Sequence, residues 1–97
     1  MTGKQRAYLR SMCNTLPAII LVGKEGITDT LCQSVDEALV ARELIKMGVQ
    51  RGAPMMAREA CTELCERLKA EPVQCIGNKF CIYRAREKDP EIVLPRA

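Results

Sequence analysis

Gly23-Lys24-Glu25-Gly26 is the stretch of this chain whose residue types and spacing best suit holding a ligand. Two glycines three apart let a backbone turn tightly and approach a ligand without Cβ obstruction. Thr28, just beyond, is a good helix N-cap, so the amides that follow belong to a helix N-terminus, where anions are favoured. A phosphate fits that environment, with Lys24 adding a point charge inside the loop. The segment is not a nucleotide P-loop, which needs Gly-x-x-x-x-Gly-Lys followed by Ser or Thr; here the lysine precedes the second glycine. A plain strand-to-helix turn would have the same sequence.

The six cysteines are the other chemistry-bearing set. Cys61 and Cys65 stand one turn apart on an expected helix, Cys75 and Cys81 flank an expected hairpin turn, and four thiolates could hold zinc. Against this, neither pair has Cys-x-x-Cys spacing and all four fall among apolar positions. The N-terminus has no apolar segment of the secretory kind, so reduced, core-packed thiols are expected, with no metal and no redox centre. Histidine is absent, which removes the usual general base, the partner of Ser or Cys nucleophiles and the commonest metal ligand. No enzyme activity, cofactor or small-molecule substrate is expected.

These groups must be positioned by a single domain spanning 1–97, because 97 residues are too few to divide. Hydrophobic residues make up 47% and charged ones 28%, a globular balance that argues against disorder. The longest apolar run, Leu16 to Val22, contains a proline and falls far short of the ~18 residues a membrane span needs. A cytoplasmic monomer without membrane association is the expectation. Net charge is +3, too mild by itself to prove a polyanionic partner. Its distribution is more informative. Lys4, Arg6, Arg10 and Lys24 outweigh Glu25 in residues 1–27, acids dominate 28–44, and cations return from Lys46 to Lys88. Such segregation can present a positive face to a polyanion.

Apolar residues Tyr8, Leu9, Met12, Cys13 and Leu16 recur at helical spacing, with Arg6 and Arg10 together on a flank and Pro17 as the stop. Ala18 to Val22 lacks alternation, as for a strand covered on both faces. Leu31, Val35 and Leu39 form the stripe of a second helix from Thr28 to near Ala41. Leu44 to Gln50 reads as a second strand that Gly48 weakens. A third helix from Met55 to Lys69 follows Pro54. Val73 to Ile76 and Phe80 to Tyr83 read as a hairpin around Gly77-Asn78-Lys79, and 84–97 as a mobile or edge-docked tail. The fold class is α/β, three helices against a mixed four-stranded sheet of undetermined strand order.

Lys4-Gln5-Arg6-x-x-Leu9-Arg10, Val22-Gly23-Lys24-x-Gly26-Ile27-Thr28, Glu43-Leu44-Ile45-Lys46, Ile76-Gly77, Tyr83-Arg84 and Leu94-Pro95 occur in an order and spacing that resemble a CRM (chloroplast RNA splicing and ribosome maturation) domain, and a lone copy resembles the bacterial YhbY-like members. Asn14, where a histidine is common, and Ala18, after the proline, depart from the family pattern. The resemblance implies a fold similar to the C-terminal domain of translation initiation factor 3, a GxxG loop used on RNA, and association with large-subunit rRNA during ribosome assembly, without catalysis or cofactor. Carried over by position, it assigns RNA contact to Gly23, Lys24 and Gly26 in the loop, to Lys4, Arg6 and Arg10 on the first helix, and secondarily to Lys46 and Arg84.

The GxxG loop of KH domains clamps nucleotide backbones by the same physical logic. Base stacking is not expected to lead recognition, because Tyr8 and Phe80 sit in apolar patterns that suit core packing. Contact through phosphates and RNA shape is the expected mechanism. A simpler reading leaves Arg6, Arg10 and Lys46 as solvated surface. Another makes the acidic face of Asp29, Asp36 and Glu37 a protein-docking surface.

Overall fold

The structure, a computed structural model, describes residues 1–96; Ala97, the end of the tail, lies outside the described residues. Its elements run α1 (Gly3–Cys13), β1 (Ala18–Val22), α2 (Asp29–Arg42), β2 (Leu44–Val49), α3 (Ala57–Leu68), β3 (Glu71–Ile76) and β4 (Lys79–Tyr83). Three helices and a four-stranded mixed sheet are therefore present. Each helix start has a local cause. Thr2 Oγ1 accepts from the Gln5 amide at 3.2 Å while Gln5 Oε1 takes the Thr2 amide at 3.1 Å, a reciprocal cap on α1. Thr28 Oγ1 accepts from the Leu31 amide at 3.0 Å, and Glu59 reaches back to the Met56 amide at 3.1 Å, ahead of α3.

The strand order is β1-β2-β4-β3. β1 and β2 are parallel, joined by α2, whereas β4 runs antiparallel to both β2 and β3. Alternation along the strands divides two cores. On one face Val22, Ile45, Met47, Phe80 and Ile82 pack with Val35 and Leu39 of α2 and Ala60, Cys61 and Leu64 of α3. On the other, Leu9 and Cys13 of α1 cover Leu44, Val73, Cys81 and Tyr83, with Ile92 and Leu94 of the tail at the margin. The helices thus sandwich the sheet two to one.

That asymmetry corrects the expectation for β1. A strand covered on both faces was expected, but β1 is an edge strand over which α1 does not extend, and Ile19 and Leu21 are 37% and 46% exposed. Tyr8, expected in the core, is 43% exposed, while Phe80 is buried as expected. Helix α1 stops at Cys13, one turn before Pro17, because the amides of Thr15 and Leu16 fall back on the Met12 and Cys13 carbonyls. The β3 strand begins earlier than Val73 and includes Pro72, which an edge position tolerates since no ladder amide is lost there.

The tail is docked. Glu43, fully buried at the end of α2 with φ +65°, accepts the amides of Arg86, Glu91 and Ile92 at 3.1, 2.7 and 2.9 Å. Its own carbonyl takes the Arg84 amide at 2.9 Å, and Gln5 Nε2 holds the Pro95 carbonyl at 3.0 Å. Burial pushes the Glu43 carboxyl up, but the three amides and the Arg86 charge outweigh it, so its pKa lies below the ordinary value. A positive φ in a non-glycine residue is strained, and these hydrogen bonds hold it in place.

Candidate functional site

The GxxG loop leaves the C-terminal end of β1. Its turn closes with the Gly26 amide donating to the Gly23 carbonyl at 3.0 Å, and Lys24 and Glu25 project at the exposed tip. Neither tip amide has a protein acceptor among the described residues. Gly26 is required twice over: its φ is +71°, and a Cβ there would meet Pro54 Cγ at 3.0 Å. The close approach of Pro54 means that the β2–α3 connection lies against the loop.

Two further segments meet the same end of the sheet. The Gln50 amide donates to the Val22 carbonyl at 2.8 Å and Ala53 closes a turn on Gln50 at 3.1 Å, which presents Arg51 beside the loop. The hairpin turn is tied to β2 by the Val49 amide on the Asn78 carbonyl at 2.9 Å and by Asn78 Nδ2 on the Val49 carbonyl at 3.3 Å, which brings in Lys79. Lys24, Arg51 and Lys79 are exposed, and none has an ion-pair partner among the described residues. Backbone amides, two ammonium groups and a guanidinium lie at this end of the sheet. That arrangement has the charge and the free donors that a polyanion would meet.

The N-terminus of α2 contributes less than the sequence promised. Thr28 already takes the Leu31 amide, and Asp29 complements the helix dipole from within the first turn. The donors left without protein partners at this end are the loop amides and the three cations.

The residues singled out from the sequence divide into four sets. Gly23, Lys24 and Gly26 form the loop, and half-buried Lys46 lies on the sheet face that β1 shares with α1. Lys4 and Arg10 are exposed on α1. Arg6 and Arg84 are engaged internally: the Arg6 guanidinium donates to the Pro72 carbonyl and lies 3.9 Å from Glu71. Arg84 pairs with Asp36 at 2.9 Å and donates to the Leu68 carbonyl at 3.0 Å, joining α2 to the end of α3 at the opposite end of the sheet.

Arg51 and Lys79 were not singled out. A signal for Arg51 was present, because a strand–helix–strand order favours parallel neighbours, whose C-terminal loops share one edge. Lys79 had no local signal; its place follows from the long-range pairing of β2 with β4. All six cysteines are free thiols. Cys81 meets Cys13 across α1, and Cys61 meets Cys65 within α3; hydrogen bonding to those partners, with burial, pushes the Cys13 and Cys65 thiols up. Among the described residues no group of three or more Cys, Asp or Glu side chains is placed to hold a metal ion, and no helix is long and apolar enough to cross a membrane.

Comparison with known proteins gives one consistent picture. The CRS1 / YhbY (CRM) domain model matches residues 1–84. The probable RNA-binding protein YqeI of Bacillus subtilis is 36% identical over 95 residues, covering 98% of this chain and 99% of the relative. An RNA-binding protein of Haemophilus influenzae is 28% identical over 96 residues, covering 99% and 96%. The solution structure of the hypothetical protein SAV1595 from Staphylococcus aureus superposes with a TM-score of 0.81 at 38% identity, covering 98% of this chain and 99% of the other. With the family model spanning the sheet, all three helices and the glycine loop, this chain belongs to the CRS1 / YhbY (CRM) domain family.

Proposed function

We propose that this chain is a non-catalytic RNA-binding protein that grips structured RNA with the loop end of its sheet, and that it serves large-subunit rRNA during ribosome assembly. The observation that carries the reading is the convergence of three loops that set Lys24, Arg51 and Lys79 around a glycine turn whose tip amides have no protein acceptor. RNA phosphates match that chemistry. Relatives named as RNA-binding proteins support the RNA-binding part of this reading. The rRNA part rests on the likeness of a lone domain to YhbY-type members.

Exposed Arg10 and Lys4 extend the contact along α1 in this reading, with Lys46 in support; Arg6 and Arg84 act mainly within the fold. Specificity comes mainly from RNA architecture in this reading, since Phe80 and Tyr83 are buried and Tyr8 is the one aromatic exposed for stacking among the described residues. The test is fluorescence-detected binding of labelled large-subunit rRNA fragments and an unrelated hairpin, at two salt concentrations, to the wild type and Lys24→Glu. Preference for rRNA, loss in the variant and a logarithmic salt slope of about −3, for four or five phosphates at ~0.7 each, are expected. A flat salt response, or equal binding by the variant, would remove the proposed grip.

A further inference from the structure

Helix α1 covers only part of its face of the sheet, and what it leaves bare has a particular composition. Ile19 and Leu21 of β1 are 37% and 46% exposed and Ile76 of β3 is 65% exposed. Between them lie Lys46, Gly48 and Lys79, placed side by side by the β1–β2 and β2–β4 registers. Gly48 explains itself here. A Cβ on it would come within 2.9 Å of both Leu21 Cδ2 and Lys79 Nζ, so the glycine lets an aliphatic side chain and an ammonium lie together across β2. A glycine inside a strand weakens it and often marks a close approach. A cleft of about 210 Å³ at the margin of α1 is lined by Asn14, Lys46, Gln74, Ile76 and Lys79 among others, with no carboxylate.

We infer that this bare half-face binds unpaired RNA nucleotides, with bases laid against Ile19, Leu21 and Ile76 and phosphates held by Lys46 and Lys79. The inference rests on the RNA-binding reading above and extends it from the loop onto the sheet. Charge and polarity select the occupant. A duplex presents phosphates and sugars outward and keeps its base faces stacked inside, so it has nothing for an aliphatic floor. A single strand offers apolar base faces and phosphates at once, matching aliphatic and lysine side chains interleaved without acid. Lys79 belongs both to the loop cluster and to this face, so a strand gripped at the GxxG turn continues onto the sheet.

The test uses fluorescence anisotropy with an unstructured RNA oligonucleotide and a blunt RNA duplex of matched length. Wild type is expected to prefer the single strand. Ile19→Ser combined with Leu21→Ser should weaken single-strand binding about tenfold, leaving duplex affinity and salt slope unchanged. Lys79→Gln should lower the single-strand slope by about 0.7. Single-strand binding by the serine variant equal to wild type would overturn the inference and hand the face to a protein partner. Wild-type binding to the duplex alone would overturn it while sparing the RNA-binding reading, and binding to neither would overturn both. Photocrosslinking of thiouridine-substituted RNA to the unmodified protein removes any dependence on variant folding. Adducts on β1 or at Lys46 and Lys79 are expected, and adducts confined to α2 and α3 would overturn the inference.

Discussion

The two ends of the sheet use their charges in opposite ways. At the end where β2 begins and β4 finishes, Arg84 is spent on Asp36 and the Leu68 carbonyl, Arg86 pairs with Glu91 at 3.1 Å, and Glu43 takes three tail amides. At the other end Lys24, Arg51 and Lys79 are exposed and have no such partners among the described residues. Equal net charge would hide this. Cations bound to their own fold are already neutralised, and the polyanion-binding capacity of a mildly basic protein resides in those left over.

Glu43→Ala should do the most damage, because it strands three amides in a buried setting. A loss on the order of 2 kcal/mol is expected, or roughly 10 °C in thermal midpoint by calorimetry, with RNA affinity of the folded protein unchanged. Lys24→Glu should invert that pattern, with about tenfold weaker RNA binding and a midpoint within a degree or two of wild type. Arg84→Ala sharpens the contrast between cations, since it should lower stability by about 1 kcal/mol in denaturant titration with RNA affinity held. Loss of affinity matching that of Lys24→Glu would break the division between the two ends.

The smallest effect is that of acid. The Glu43 pKa is depressed on folding, so the stability it contributes is complete above the unfolded carboxyl value of about 4.3 and is lost as pH falls through the lower folded value. Wild type should therefore lose tail protection in hydrogen exchange below about pH 4, while Glu43→Gln, weaker throughout, should lack that step.

The sequence made the local features legible. The Thr28 cap, the Val35–Leu39 stripe, the core cysteines of α3 and the hairpin around Gly77 all depend on neighbours within a few residues, and the structure carries each of them. Ile19 and Leu21 misled because an unbroken apolar run reads alike whether a helix covers its second face or not, and coverage depends on where α1 lands. The GxxG loop was visible as a motif, but its companions Arg51 and Lys79 become a site only through strand pairing across the whole chain. Arg6 and Arg84 were attractive as cations, and their internal partners Pro72, Glu71 and Asp36 lie far away in sequence.

The anchor at Glu43 also bears on how this protein can change. The carboxylate grips main-chain amides at Arg86, Glu91 and Ile92, a group that every amino acid except proline supplies. Beyond the residues matched by the family model, this part of the tail's hold makes no demand on side chains, while Ile92 and Leu94 add apolar contact at the core margin. Such a tether lets the exposed surface of residues 86–96 drift, or acquire new contacts, while their path over the domain stays the same. A proline at one of those three positions, or loss of the carboxylate itself, would remove that main-chain hold.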